Sequence, residues 1–263
     1  MNYKSFLTYS IITTLIIFTL IYKYAFDESG KPHCENFVSN VYLYLALAIA
    51  MLGNFIHVVN YFVNEPNQVG KYISAFEAYF QVYKYVIPAI ILSFIFVISL
   101  TFRDNFSKDG FLLNHFIWLA YIATLAIPFY PIFKSIEFAQ DIIPAMLSTI
   151  SVFALMSFVV YSYPEFFEST YKSAIIGLII ALLVGIIIHV IMNMTGLAYL
   201  DNSFTRYFNY FFIVVFSLFV SYDTSRVLQL AEQCVNMPNY PRISNKLFLD
   251  IINLFSRMLR GRR

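Results

Sequence analysis

Residues 207–223 read Tyr-Phe-Asn-Tyr-Phe-Phe-Ile-Val-Val-Phe-Ser-Leu-Phe-Val-Ser-Tyr-Asp, and residues 246–255 read Lys-Leu-Phe-Leu-Asp-Ile-Ile-Asn-Leu-Phe. The first run is apolar over the length that a helix needs to cross a hydrocarbon core, roughly 20 residues. It closes on an acid, Asp223. The second is shorter, with a second acid, Asp250, inside it. Ionisable groups at membrane depth are costly to bury, so where they occur they mark function or a paired site.

Outward from these two runs the chain keeps the same character. It has 263 residues, of which 60% are hydrophobic and only 12% charged, with a mean hydropathy of +0.69. Soluble domains carry about 25% charged residues, and a core of this size could not hide so much apolar surface. A soluble enzyme and a disordered chain are therefore excluded. A net charge of +2 leaves no basic footprint for nucleic acid. The expected fold class is an all-α integral membrane protein. Apolar spans are expected at 5–23, 41–63, 84–102, 111–133, 142–162, 173–196 and 207–224, with a weaker eighth segment at 245–259. The first is not read as a cleavable signal, because no small-residue cleavage site follows it.

Eight segments put both termini on one side. The 17 basic residues then divide nine to eight between the sides, and the Arg-Gly-Arg-Arg end weakly favours a cytosolic or matrix C-terminus. Cys34 and Cys234 fall in loops on the side opposite the termini, where a disulfide can form if that side is oxidising; two free thiols, the commoner state of loop cysteines, are the other reading. Two cysteines this far apart do not suggest a metal site.

In the eighth segment Lys246, Asp250, Asn253 and Arg257 are spaced 4, 3 and 4, a single helical stripe. At about 22 Å for its 15 residues the segment is shorter than the hydrocarbon core. Two readings fit: a helix among helices with this stripe inward, or an interfacial helix with the stripe in water. Asp223 likewise reads as a membrane-depth acid or as a helix-end acid paired with Arg226 three residues on. Asn54, His57, Asn60 and Tyr61, and the pair His189 and Asn193, are expected to make interhelical hydrogen bonds. Pro88, Pro128, Pro131 and Pro144 are expected to kink or start spans, and Pro128 with Pro131 to loosen the fourth near its end.

Phe219-Val-Ser-Tyr-Asp223-Thr-Ser-Arg226-Val, then Tyr240-Pro, then Leu247-Phe-Leu-Asp250-Ile-Ile-Asn253-Leu-Phe255 resembles the C-terminal signature of the transmembrane Bax inhibitor motif (Bax inhibitor, or lifeguard) family. The likeness covers roughly residues 110–260. Phe248 stands where the family usually has Tyr, and glycines are scarce, with 8 in the chain. The resemblance implies a Bax-inhibitor-like helical bundle of seven spans at 41–263, preceded by an extra N-terminal span and loop at 1–40. That extra span, and Tyr240-Pro-Arg-Ile-Ser-Asn245 between the acid blocks, resemble the family's mitochondrial branch, that of the growth-hormone-inducible transmembrane protein.

What the resemblance implies for function is a pH-sensitive calcium leak or calcium/proton exchange, with restraint of cell death. The gate and ion site would be Asp223 and Asp250, which would also be the ligands of any calcium, with Arg103 beside them. Arg226, Asn253 and Lys246 are the supporting polar residues. Two close carboxylates in a low-dielectric site cannot both ionise cheaply, so they share a proton and titrate together. No enzyme activity and no cofactor are expected, and the lipid bilayer is the expected partner. The mitochondrial inner membrane is the favoured location, with ER, Golgi or viral membranes as alternatives. The second reading is a non-transporting subunit of a larger membrane complex, such as a respiratory one. Enrichment in Phe (29) and Tyr (21) would suit an AT-rich organellar or viral genome.

Overall fold

The computed structural model describes residues 3–64, 75–106, 111–134, 142–167, 180, 183–184, 187, 202–235 and 237–260. They form seven long helices: α1 (Tyr3–Ala25), α2 (Phe37–Asn64), α3 (Ala75–Thr101), α4 (Phe111–Lys134), α5 (Ile143–Ser162), α6 (Asn202–Glu232) and α7 (Tyr240–Arg260). Six of them, α1 to α6, are long and apolar enough to cross a membrane. The expected span at 173–196 lies mostly outside the described residues. Those described in it, Ile180, Leu183, Val184 and Ile187, are helical and exposed, a stripe at helical spacing.

The helices group into two compact units. The first comprises residues 1–136 with 233–245. In it α1 packs on α2, α2 on α4, and α3 on α4. Polar side chains join the helices: the Ser10 hydroxyl donates to Asn54 Oδ1 (2.6 Å), the Asn54 amide donates to Thr14 Oγ1 (2.8 Å), and the Ser93 hydroxyl donates to Thr124 Oγ1 (3.0 Å). Asn54 thus makes the interhelical bonds expected of it. Along α3 the exposed residues Ile87, Ile91, Phe94, Ile95 and Ile98 form one continuous apolar stripe. Such a face would aggregate in water. In a bilayer it is simply solvated.

Several elements run further than hydropathy predicts. Helix α4 continues through Pro128 and Pro131 to Lys134 rather than loosening there, as spanning helices can when neighbours satisfy the freed carbonyls. Pro144 does sit in the first turn of α5, where its missing N–H costs nothing. Helix α6 continues eight residues past the expected end at 224, to Glu232. Its extension is less apolar, yet Val227 and Leu230 are buried on the same face as Val220 and Thr224.

The eighth segment departs most from expectation. Helix α7 has 21 residues, not 15, and begins at Tyr240 rather than 245. Its length is therefore about 31 Å, comparable with the hydrocarbon core. Asn239 caps it: its Oδ1 accepts from the Arg242 N–H (3.3 Å) and its carbonyl from the Ile243 N–H (3.0 Å). Pro241 follows in the first turn, as helix starts favour.

The loops between α1 and α2 and between α6 and α7 are joined by a Cys34–Cys234 disulfide, Cα–Cα 5.8 Å, across 200 residues of sequence. Around it the chain is tied closely. The Tyr240 hydroxyl donates to the His33 carbonyl (2.6 Å), and the Asn40 amide donates to the Tyr240 hydroxyl (3.2 Å). The Tyr240 ring stacks on Tyr44, with centroids 5.4 Å apart. The Arg242 guanidinium donates to Asn105 Oδ1 and to the Thr101 carbonyl. In the first loop Asp27 accepts from the Ser29 hydroxyl, the Lys31 N–H and the Ser29 N–H, which together hold its carboxyl below the usual carboxylate range.

The second unit comprises residues 137–232 with 246–263. In it α5 packs on α6. Buried Val160 and Phe167 meet Leu218, Tyr222 and Leu228, and the hydroxyls of Ser157 and Thr224 lie 3.3 Å apart. Half of the spanning part of α6 is buried, against 11% for α1. Around Asp223, from Val215 to Ala231, every residue of α6 is buried or half-buried.

Candidate carboxylate site

The burial pattern of α7 decides between its two readings. From Tyr240 to Leu259 every residue is buried or half-buried except Lys246. An interfacial helix would leave a whole face open. Here Leu247, Phe248, Asp250, Ile252, Leu254 and Phe255 are all buried, on several sides of the helix. Beyond Lys246, the polar stripe (Asp250, Asn253 and Arg257) is buried or half-buried.

Asp250 is 7% exposed, and Asp223 on α6 is half-buried. The two side chains are hydrogen-bonded to each other. Two carboxylates held together in a buried site cannot both ionise cheaply, so the contact favours a pair that shares a proton. Asp250 Oδ2 is buried and receives no hydrogen bond from a donor group among the described residues. A buried orphan acceptor costs about 1–3 kcal/mol, and it marks the place where a cation, a water or a second proton would be stabilised.

Asp223 does not take Arg226 as an ordinary helix-end partner. The Arg226 guanidinium donates to Gln229 Oε1 instead (2.9 Å). Asn253 follows Asp250 on the stripe and is half-buried. Arg257 lies further along, its guanidinium over the Phe212 ring at 4.0 Å. Lys246, one turn before Asp250, exerts its charge on both carboxylates.

Arg103 belongs to the first unit, just beyond the end of α3, where its backbone N–H donates to the Leu100 carbonyl (3.2 Å). The guanidinium that fastens the first turn of α7 is that of Arg242, whose acceptors are 137 and 141 residues away. No local pattern announces it. His189 and Asn193 lie outside the described residues. Among the described residues no group of three or more His, Cys, Asp or Glu could hold a metal ion, so any cation at the pair would have two carboxylates and lighter ligands.

Six helices long and apolar enough to cross a membrane, together with a pair of carboxylates at buried and half-buried positions of the second unit, define a multi-pass helical membrane protein with a buried acid site. Residues 34–261 match the family model described as Inhibitor of apoptosis-promoting Bax1, and the chain belongs to that Bax inhibitor family. The match begins after α1. A comparison with curated proteins finds no match.

Proposed function

We propose that the protein is a pH-sensitive calcium leak channel or calcium/proton exchanger gated by Asp223 and Asp250. The observation that carries this reading is the pairing of two carboxyl groups at half-buried and buried positions of α6 and α7, with Asp250 Oδ2 given no donor by the described residues. With a proton between them the carboxylates bridge α6 and α7 and close the path. When the proton leaves, the like charges repel, the helices part, and the oxygens become hard ligands suited to calcium. Restraint of cell death would follow from this leak, and no enzymatic step is involved.

The mitochondrial inner membrane is the location we favour, on the likeness of the extra N-terminal helix to that branch. The disulfide loops would then face its oxidising side. A second reading is a non-transporting subunit of a larger membrane complex. It is favoured by the two-carboxylate poverty of the site, which among the described residues offers no third acidic or histidine ligand.

The test is calcium flux into liposomes containing the full chain, measured across pH. Flux should rise with pH as the bridging proton is lost. Asp223→Asn and Asp250→Asn should each remove that dependence, because neither variant can place two like charges together. A parent that shows no flux at any pH, or variants that keep its profile, would overturn transport in favour of the structural reading.

A further inference from the structure

Lys246 and Asp250 are neighbours one turn apart on α7 (i, i+4), where side chains lie about 5–6 Å apart at Cβ. The lysine precedes the acid, the poorer order for a locked helix ion pair. In keeping with that, Asp250 Oδ2 has no hydrogen-bond partner among the described residues, and from Tyr240 to Leu259 Lys246 is the one exposed residue of a helix otherwise buried or half-buried. The ammonium does not hydrogen-bond Asp250 Oδ2, yet it sits on a flexible four-carbon stem that can reach the carboxylate from one turn away. Other cations of these helices are differently engaged: Arg226 on Gln229 and Arg257 over Phe212. Among the described residues, Lys246 is the cation whose charge acts on both members of the pair.

We propose that Lys246 is a tethered cation that competes with the transported ion for the Asp223–Asp250 site, and so disfavours divalent ions there. The inference rests on the pair being a cation site, as read above. With both carboxylates ionised, the pair carries two negative charges and Lys246 cancels one. An incoming ion must displace the ammonium or sit beside it. The repulsion it meets is proportional to its own charge, so a divalent ion is penalised twice as much, in free energy, as a monovalent one. Lys246 is then a positioning and selectivity residue rather than a ligand.

The experiment uses the full chain in lipid nanodiscs, with calcium chloride binding followed by calorimetry at a pH where the pair is ionised. Sodium chloride is measured by competition, with choline chloride holding the ionic strength. Lys246→Met keeps the stem and removes the charge. It should bind calcium at least about tenfold more tightly, on the order expected for removing a unit charge at this separation. The gain for sodium should be about the square root of that for calcium. Lys246→Arg keeps the charge and should bind calcium as the parent does. Equal calcium binding by the parent and the Met variant, including no binding by either, overturns the proposal. Equal gains for sodium and calcium also overturn it, since a merely structural disturbance would not scale with ionic charge. Transport is read separately in liposomes, so a binding change without flux would fault the channel reading and leave the role of Lys246 standing.

Discussion

At the scale of single residues, the two ends of one amide and the two oxygens of one acid show how polar groups are handled here. Asn54 uses its oxygen to receive Ser10 and its nitrogen to reach Thr14. Thr14 already donates to the Ser10 carbonyl, so Asn54→Leu should cost only about 1 kcal/mol, as interhelical hydrogen bonds in membranes do. A thermal-unfolding midpoint in detergent measures it. Asp250 is the opposite case. In Asp250→Asn an amide can still donate to Asp223, and the fold should hold. Asp250→Ala leaves the Asp223 carboxylate without its partner and a void in a packed helix face, and should cost about 2 kcal/mol or more. Equal stability of the Asn and Ala variants would mean the carboxylate contact contributes nothing to packing.

The elements show which parts of the fold were legible and why. Spans 111–133 and 142–162 fall within a residue of α4 and α5, because hydropathy alone sets those lengths. The ends of α6 and α7 were harder, since both continue through polar sequence that is held by packing rather than by lipid. The start of α7 did carry a readable signal in Asn239-Tyr-Pro241, a cap residue followed by a first-turn proline. Asn239→Ala should therefore destabilise the helix start by about 1 kcal/mol, seen as faster amide exchange at residues 242 and 243. The loop turn at Asp27 predicts a pH effect of known sign. Its carboxyl is held below the usual range in the folded state, so its stabilisation is present above the unfolded value of about 3.9. It is lost as pH falls through the lower folded value. Protection of the Ser29 and Lys31 amides should fade in that acid window. Asp27→Asn should abolish the change.

Across the whole molecule, the contacts that no local pattern encodes are the long-range ones. For Asp223 and Asp250 the sequence offered a family-like spacing of the two acid blocks, which long-range contacts elsewhere lack. The Tyr240 hydroxyl bond to the His33 carbonyl spans 207 residues, and the disulfide spans 200. Loop position showed only that Cys34 and Cys234 could share a side. Pairing depends on how the first unit folds its last segment back onto α2. In the chain-entropy picture, a cross-link closing so long a loop stabilises by about 5 kcal/mol. The inserted chain, however, is already confined by the bilayer before it folds, so its unfolded state has less entropy to lose. Cys34→Ser and Cys234→Ser should each lower the thermal midpoint, by well under the about 5 kcal/mol equivalent, and the double variant by no more than either single one. A membrane-impermeant maleimide should label neither cysteine before reduction and both from the same side afterwards. Labelling without reduction would contradict the bond. Labelling from opposite sides would contradict the shared side of the two loops.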